Sequence, residues 1–129
     1  MTLEELVETS RNRPFKWGTH DCYQFASKAL EAQTGKGLPQ SKPYRTAKGA
    51  FRRYTEFYRG SPEAYLDAAY MRLPKGVIPP SGGLVLRVYD DPNFKYIFGI
   101  CLDSRVVFPG ADGLEFTDID FDKDTFWVT

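Results

Sequence analysis

Helices first and strands after: the chain reads as an α+β fold, N-terminal helices packed on a small antiparallel β-sheet. Three observations predict it. Up to about residue 75, apolar residues recur at helical spacing behind good capping residues. From about residue 80, short β-type runs alternate with turn residues. Between the two lies the rigid, turn-rich connection Pro79-Pro80-Ser81-Gly82-Gly83. Segregating the two kinds of element favours an antiparallel sheet covered on one face. The 129 residues read as one domain, 1–129, with enough core to fold without disulfides or metal.

The first helix starts at Thr2, with Glu5 three residues on as a capping-box signature. Leu3, Leu6 and Val7 form its apolar stripe, and Arg13-Pro14 ends it. The second helix has Asp21 as N-cap, and Gln24 is placed to return the capping bond. Cys22, Phe25, Ala26, Ala29 and Leu30 then fall on one face, and Gly35 supplies a left-handed stop. A polar connection over 37–45 leads to a third helix over 47–58, with Ala50, Phe51, Tyr54, Phe57 and Tyr58 on one side. Ser61-Pro62-Glu63 restarts the chain as a fourth helix carrying Tyr65, Ala68 and Ala69, with Arg72-Leu73 as an optional last turn, ending before Pro74.

Strands are expected over 84–89, 96–102, 105–108, 114–117 and 126–129, with turns at 90–93, 103–104 and 109–113. The second helix is expected to pack on one face of the sheet. Alternation along 97–101 puts Ile97, Gly99 and Cys101 on a common face, and that face is expected to look toward Cys22.

The composition excludes several classes. Seventeen basic residues balance 17 acidic ones, without a long single-sign block, which argues against a nucleic-acid binder. Arg52-Arg53 reads as a solvated helix face. Two distant cysteines and one histidine make neither a disulfide framework nor a zinc site. The acidic run 118–124 reads as a solvated turn, since it lacks the Gly and Glu of a calcium loop. No metal or cofactor is implied. No apolar run reaches membrane-spanning length, and the acidic N-terminus does not read as a secretory signal.

The chemistry concentrates at Cys22. A cysteine on the first residue of a helix meets free backbone N–H groups and the positive end of the macrodipole, which favour the thiolate. A nucleophilic thiol also needs a base within hydrogen-bond reach. His20, two residues earlier, is the lone imidazole, and it reaches the sulfur only if the loop folds back. Two readings stand side by side: Cys22 with His20 as a catalytic pair, or Cys22 as a structural thiol in a vestigial site. The tyrosine-rich third and fourth helices suggest an interface whose rings keep one wet edge, with Tyr54, Phe57 and Tyr58 as its centre.

The run Phe15-x-Trp17-Gly18-x-x-Asp21-Cys22 resembles the start of the nucleophile helix in the NlpC-like branch of papain-like cysteine peptidases. Pro80-Ser81-Gly82-Gly83-Leu84-Val85 stands where such proteins enter their first central strand. Ile97-Phe98-Gly99-Ile100-Cys101 is similar to the strand that carries their histidine. The helical insert over 47–73, the Gly113-Leu114 pair and Trp127 resemble, more narrowly, a phage and prophage family of unknown function encoded among tail genes. The resemblance implies an NlpC-like core and a tail-tip structural or assembly component. It further implies other tail-tip proteins as partners and residence in the virion after synthesis in the bacterial host cytoplasm. It departs at two positions: Ile97 replaces the histidine, and Gly83 replaces an acidic residue. The alternative it implies is an active peptidase or amidase on peptidoglycan stem peptides, with Cys22 as nucleophile.

Overall fold

A computed structural model describes residues 1–40, 42–59, 61–89, 91–92 and 94–129. Four helices, α1 (Leu3–Ser10), α2 (Cys22–Thr34), α3 (Ala47–Tyr58) and α4 (Pro62–Ala69), precede nearly all of the sheet. Its strands are β1 (Met71–Arg72), β2 (Leu84–Val88), β3 (Tyr96–Leu102), β4 (Arg105–Gly110), β5 (Gly113–Asp118) and β6 (Asp124–Val128). They lie in the order β1-β6-β2-β3-β4-β5, and every pairing is antiparallel. The α+β class is therefore as the sequence predicts.

Local chemistry sets each helix start. Thr2 accepts from the Glu5 amide at 3.1 Å, Thr46 from Gly49 at 3.0 Å and Ser61 from Ala64 at 3.4 Å. Asp21 caps α2 through the Gln24 amide at 2.8 Å. The Gln24 side chain does not return the bond; it reaches out to Gln40 at 2.9 Å. Gly35 closes α2 at φ 84°, a left-handed conformation.

α2 lies on one face of the sheet. Phe25, Ala26, Ala29 and Leu30 meet Leu84, Leu86, Phe98, Ile100, Val107 and Trp127 there. Burying each of the larger side chains contributes about 1.5–3 kcal/mol. Tyr23 and Ser27 are buried as well. The apolar stripe missed them because each is satisfied through a polar atom. The Tyr23 hydroxyl lies 2.6 Å from that of Tyr58, and Ser27 accepts the Leu38 amide at 2.9 Å.

The structure departs from expectation in three places. α4 ends at Ala69, and Met71–Arg72 turns away as an edge strand on β6. The reason lies in partners: Arg72 folds back onto Asp67 at 2.8 Å and over the Trp127 ring. Pro109 and Gly110 continue β4, so the last hairpin turns on Ala111 and Asp112 alone. The face assignment along β3 is reversed. Phe98 and Ile100 face α2, while Cys101 joins Val85, Val106 and Phe126 in a second cluster. The bulkier pair takes the helix-covered face. The turn expected at 90–93 includes Asp90 and Asn93, which lie outside the described residues.

Candidate functional site

The segment before α2 is built around the Asp21 carboxylate. Lys16 and His20 bridge each other through backbone bonds of 3.0 and 2.8 Å, closing a tight loop. Gly18 sits in it at φ 85°, and a Cβ there would stand 1.9 Å from the Tyr44 carbonyl oxygen. Only glycine fits. Asp21 is buried and spends both oxygens: Oδ1 on the Gln24 amide, Oδ2 on the Gly18 amide at 2.9 Å and the Tyr44 hydroxyl at 2.7 Å. This carboxylate is a scaffold for the loop and is not free to orient an imidazole. Its bond draws in Tyr44 from the connection before α3, a partner that sequence reasoning missed. A phenol 23 residues away carries no local signal.

This loop delivers Cys22 to the open end of the sheet. Paired registers between β3 and β4 stop at Ile100↔Val107. Pro109 stands where the next pair with Phe98 would form, and it has no N–H to offer. The Cys22 Sγ points at the Pro109 carbonyl oxygen, 4.0 Å away. Burial pushes the thiol up to about 12, and the Asp21 and Glu115 charges add to it. The helix-start backbone acts in the opposite direction and loses. Burial thus outweighs the helix end that was expected to favour a thiolate, and the carboxylate that caps the helix adds its repulsion.

His20 does not serve Cys22. It is a buried side chain, 1% exposed, with its ring edge-on to Phe25 at 6.1 Å. Its Nε2 meets no hydrogen-bond partner among the described residues. Burial lowers its pKa, and Arg13 and Lys28 lower it further against a smaller opposing effect from Asp21. The loop folds back, as catalysis would require, but it carries the imidazole into the core instead of over the sulfur.

Cys22 opens into a cavity of about 480 Å³. Phe15, Trp17, Phe94 and Phe108 form much of its wall, and Trp17 stacks on Phe94 at 5.7 Å. Ile97, although on the sheet face opposite Phe98, lines the same cavity at the sheet's end, so the position that resembles a catalytic histidine borders Cys22's cavity with an inert side chain. The charged groups there are Glu115, Asp91 and Arg87. Arg87 is committed elsewhere: it pairs with the buried Asp124 at 2.7 Å and bonds Thr117 at 2.9 Å. Glu115 was missed because its strand position reads as a solvated one. Among the described residues, no group of three or more His, Cys, Asp or Glu could hold a metal ion. Among them, also, no helix is long and apolar enough to cross a membrane.

The model of a family described as a domain of unknown function (DUF6950) matches residues 1–128. No curated protein and no solved structure matches the chain.

Proposed function

The chain belongs to this family, and for it we propose a structural or assembly role at a phage or prophage tail tip. The scaffold would be NlpC-like, with its catalytic site degenerated. One observation carries the non-catalytic part: Ile97 lines the Cys22 cavity in place of a base while His20 is buried against Phe25, and burial pushes the Cys22 thiol up to about 12. A thiol at that value is a poor nucleophile at neutral pH, and among the described residues no imidazole lines its cavity to protonate a leaving amine. The tail-tip part rests on the resemblance of the 47–73 insert, Gly113-Leu114 and Trp127 to a tail-gene family. The partners in this reading are other tail-tip proteins, and the protein resides in the virion. The test is complementation. Deleting the gene from its phage or prophage should yield defective tails, and a Cys22→Ala copy should restore them. Normal tails after deletion would reject the assembly role.

One observation favours the second reading, a cysteine peptidase or amidase acting on peptidoglycan. Cys22 lines an open, aromatic-walled cavity at a helix start, where a nucleophile would meet substrate. That activity needs an imidazole from another chain. Release of cell-wall fragments by the assembled tail, lost in Cys22→Ala, would establish it in place of the first.

A further inference from the structure

The cavity beside Cys22 is walled by rings. Tyr54, Tyr89 and Tyr96 line it besides Trp17 and the phenylalanines, and its volume of about 480 Å³ lies within the size range of small-molecule sites. Three charged side chains share that wall: Glu115, Asp91 and Arg87. Arg87 is neutralised where it stands. Its Nε and Nη2 donate to the two Asp124 oxygens at 2.7 and 3.0 Å, and Nη2 also reaches the Asp118 carbonyl at 2.9 Å. Asp91 has an interaction of its own, whereas Glu115 has no hydrogen-bond or ion-pair partner among the described residues.

Glu115 pairs in register with Phe108 across β4 and β5, so carboxylate and ring lie on one sheet face. Its charge is felt at the Cys22 sulfur, whose pKa it helps to raise. Lys95 does not offset it from within: that ammonium lies over the Tyr96 ring at 5.3 Å and lines the smaller neighbouring pocket. The cavity therefore combines aromatic walls with one unpaired negative charge.

That combination selects among occupants. A purely apolar body would cover the Glu115 carboxylate without pairing it, and an unpaired charge taken out of water is costly. An anion would be repelled by it. An ammonium group pairs with the carboxylate and is attracted to the ring faces as well. The same attraction operates within the chain, where the Arg87 guanidinium stands over the Phe108 ring at 5.9 Å.

We propose that this cavity binds an alkylammonium group, as a lysine side chain or a small free amine presents it. Glu115 pairs with the charge, and Trp17 with the rings around it encloses the stem. Cys22 contributes a neutral thiol to the wall and no chemistry. The site goes beyond the tail-assembly reading and needs neither a nucleophile nor a tail, so either one stands without the other.

The test uses the full chain and N-acetyl-lysinamide, with N-acetyl-norleucinamide as the uncharged control. The Trp17 indole N–H resonance is followed by NMR. The lysine compound should shift it saturably, and the norleucine compound should bind about tenfold more weakly or worse, as loss of one charge-assisted pairing predicts. Glu115→Gln alters an exposed strand residue, so it should weaken the lysine compound about tenfold at an unchanged melting temperature. Pentylamine separates the two sources: binding as tight as the lysine compound assigns the site to free amines, and weaker binding assigns it to a polypeptide side chain. Equal affinity for the lysine and norleucine compounds would overturn the proposal. So would full affinity in Glu115→Gln, or the absence of a saturable Trp17 shift with either amine.

Discussion

The Cys22 sulfur and the Pro109 carbonyl oxygen stand 4.0 Å apart, joining the start of α2 to a strand residue 87 positions along the chain. Burial keeps the proton on sulfur, and the Asp21 and Glu115 charges add to it. At neutral pH a thiol titrating near 12 is thiolate to about one part in 10⁵, far below the few per cent of an ordinary cysteine. Alkylation of Cys22 in the folded protein, followed by mass spectrometry, should rise about tenfold per pH unit with no plateau up to pH 9 or so. A plateau near neutrality would mean an activated thiol and would remove the main support for a non-catalytic site.

Asp21 and Tyr44 should be energetically coupled. Tyr44→Phe removes the hydrogen bond to a buried carboxylate, with the longer one accepted from Gln24 at 3.3 Å, and should cost about 1.5–3 kcal/mol. Asp21→Ala removes three bonds together with the cap of α2, and should cost about 3–5 kcal/mol. Since the two share one bond, the double variant should be more stable than the sum of the single losses predicts. Urea unfolding of the four proteins measures the cycle, and strict additivity would show that the 2.7 Å contact contributes nothing.

His20 makes stability depend on pH in a stated direction. Its native pKa lies below the ordinary 6.5 because burial, Arg13 and Lys28 disfavour the cation. Below that ordinary value the unfolded chain binds a proton that the native chain refuses. Stability should therefore fall as pH drops through about 6.5, and keep falling until the native pKa is reached. His20→Phe removes the titrating group and the buried Nε2 while keeping a ring against Phe25. Urea midpoints at pH 7.5 and 5.5 should then differ less for the variant than for the parent. An equal pH dependence in both would place the titration elsewhere.

Where local chemistry decides, the sequence was legible. Thr2, Asp21, Ser61 and Gly35 mark helix ends through bonds made within four residues. Apolar spacing alone placed α3 at its observed bounds. Where a distant partner decides, it was not. Arg72 leaves the helical register for Asp67 and the Trp127 ring, and nothing near residue 72 announces that. The facing of β3 depends on which side α2 covers, and strict alternation fits either answer. For the site, the sequence singled out Cys22 and Ile97, and both line one cavity. The sign of the thiol shift is set by burial, then by Asp21, and the burial comes from packing that no local spacing announces.

The aromatic insert separates into core rings and exposed rings, and the separation corrects the expected docking centre. Tyr58 is buried, and its hydroxyl is tied to that of Tyr23 at 2.6 Å. Tyr54 packs against the same core, between Tyr23 and Phe94. Truncating Tyr58 leaves a cavity and removes one of the two hydrogen bonds of the Tyr23 hydroxyl, which keeps the Pro39 carbonyl, so Tyr58→Ala should cost about 3–5 kcal/mol. Phe51 and Phe57 are instead 40% and 43% exposed. Alanine at either should change stability by about 1 kcal/mol or less, because much of each ring already faces water. If the insert is a docking face, these two rings carry it. Phe51→Ala with Phe57→Ala should impair tail assembly while the melting temperature stays near that of the parent. Intact assembly in that double variant would move the docking surface off α3, whatever Tyr58→Ala does through unfolding.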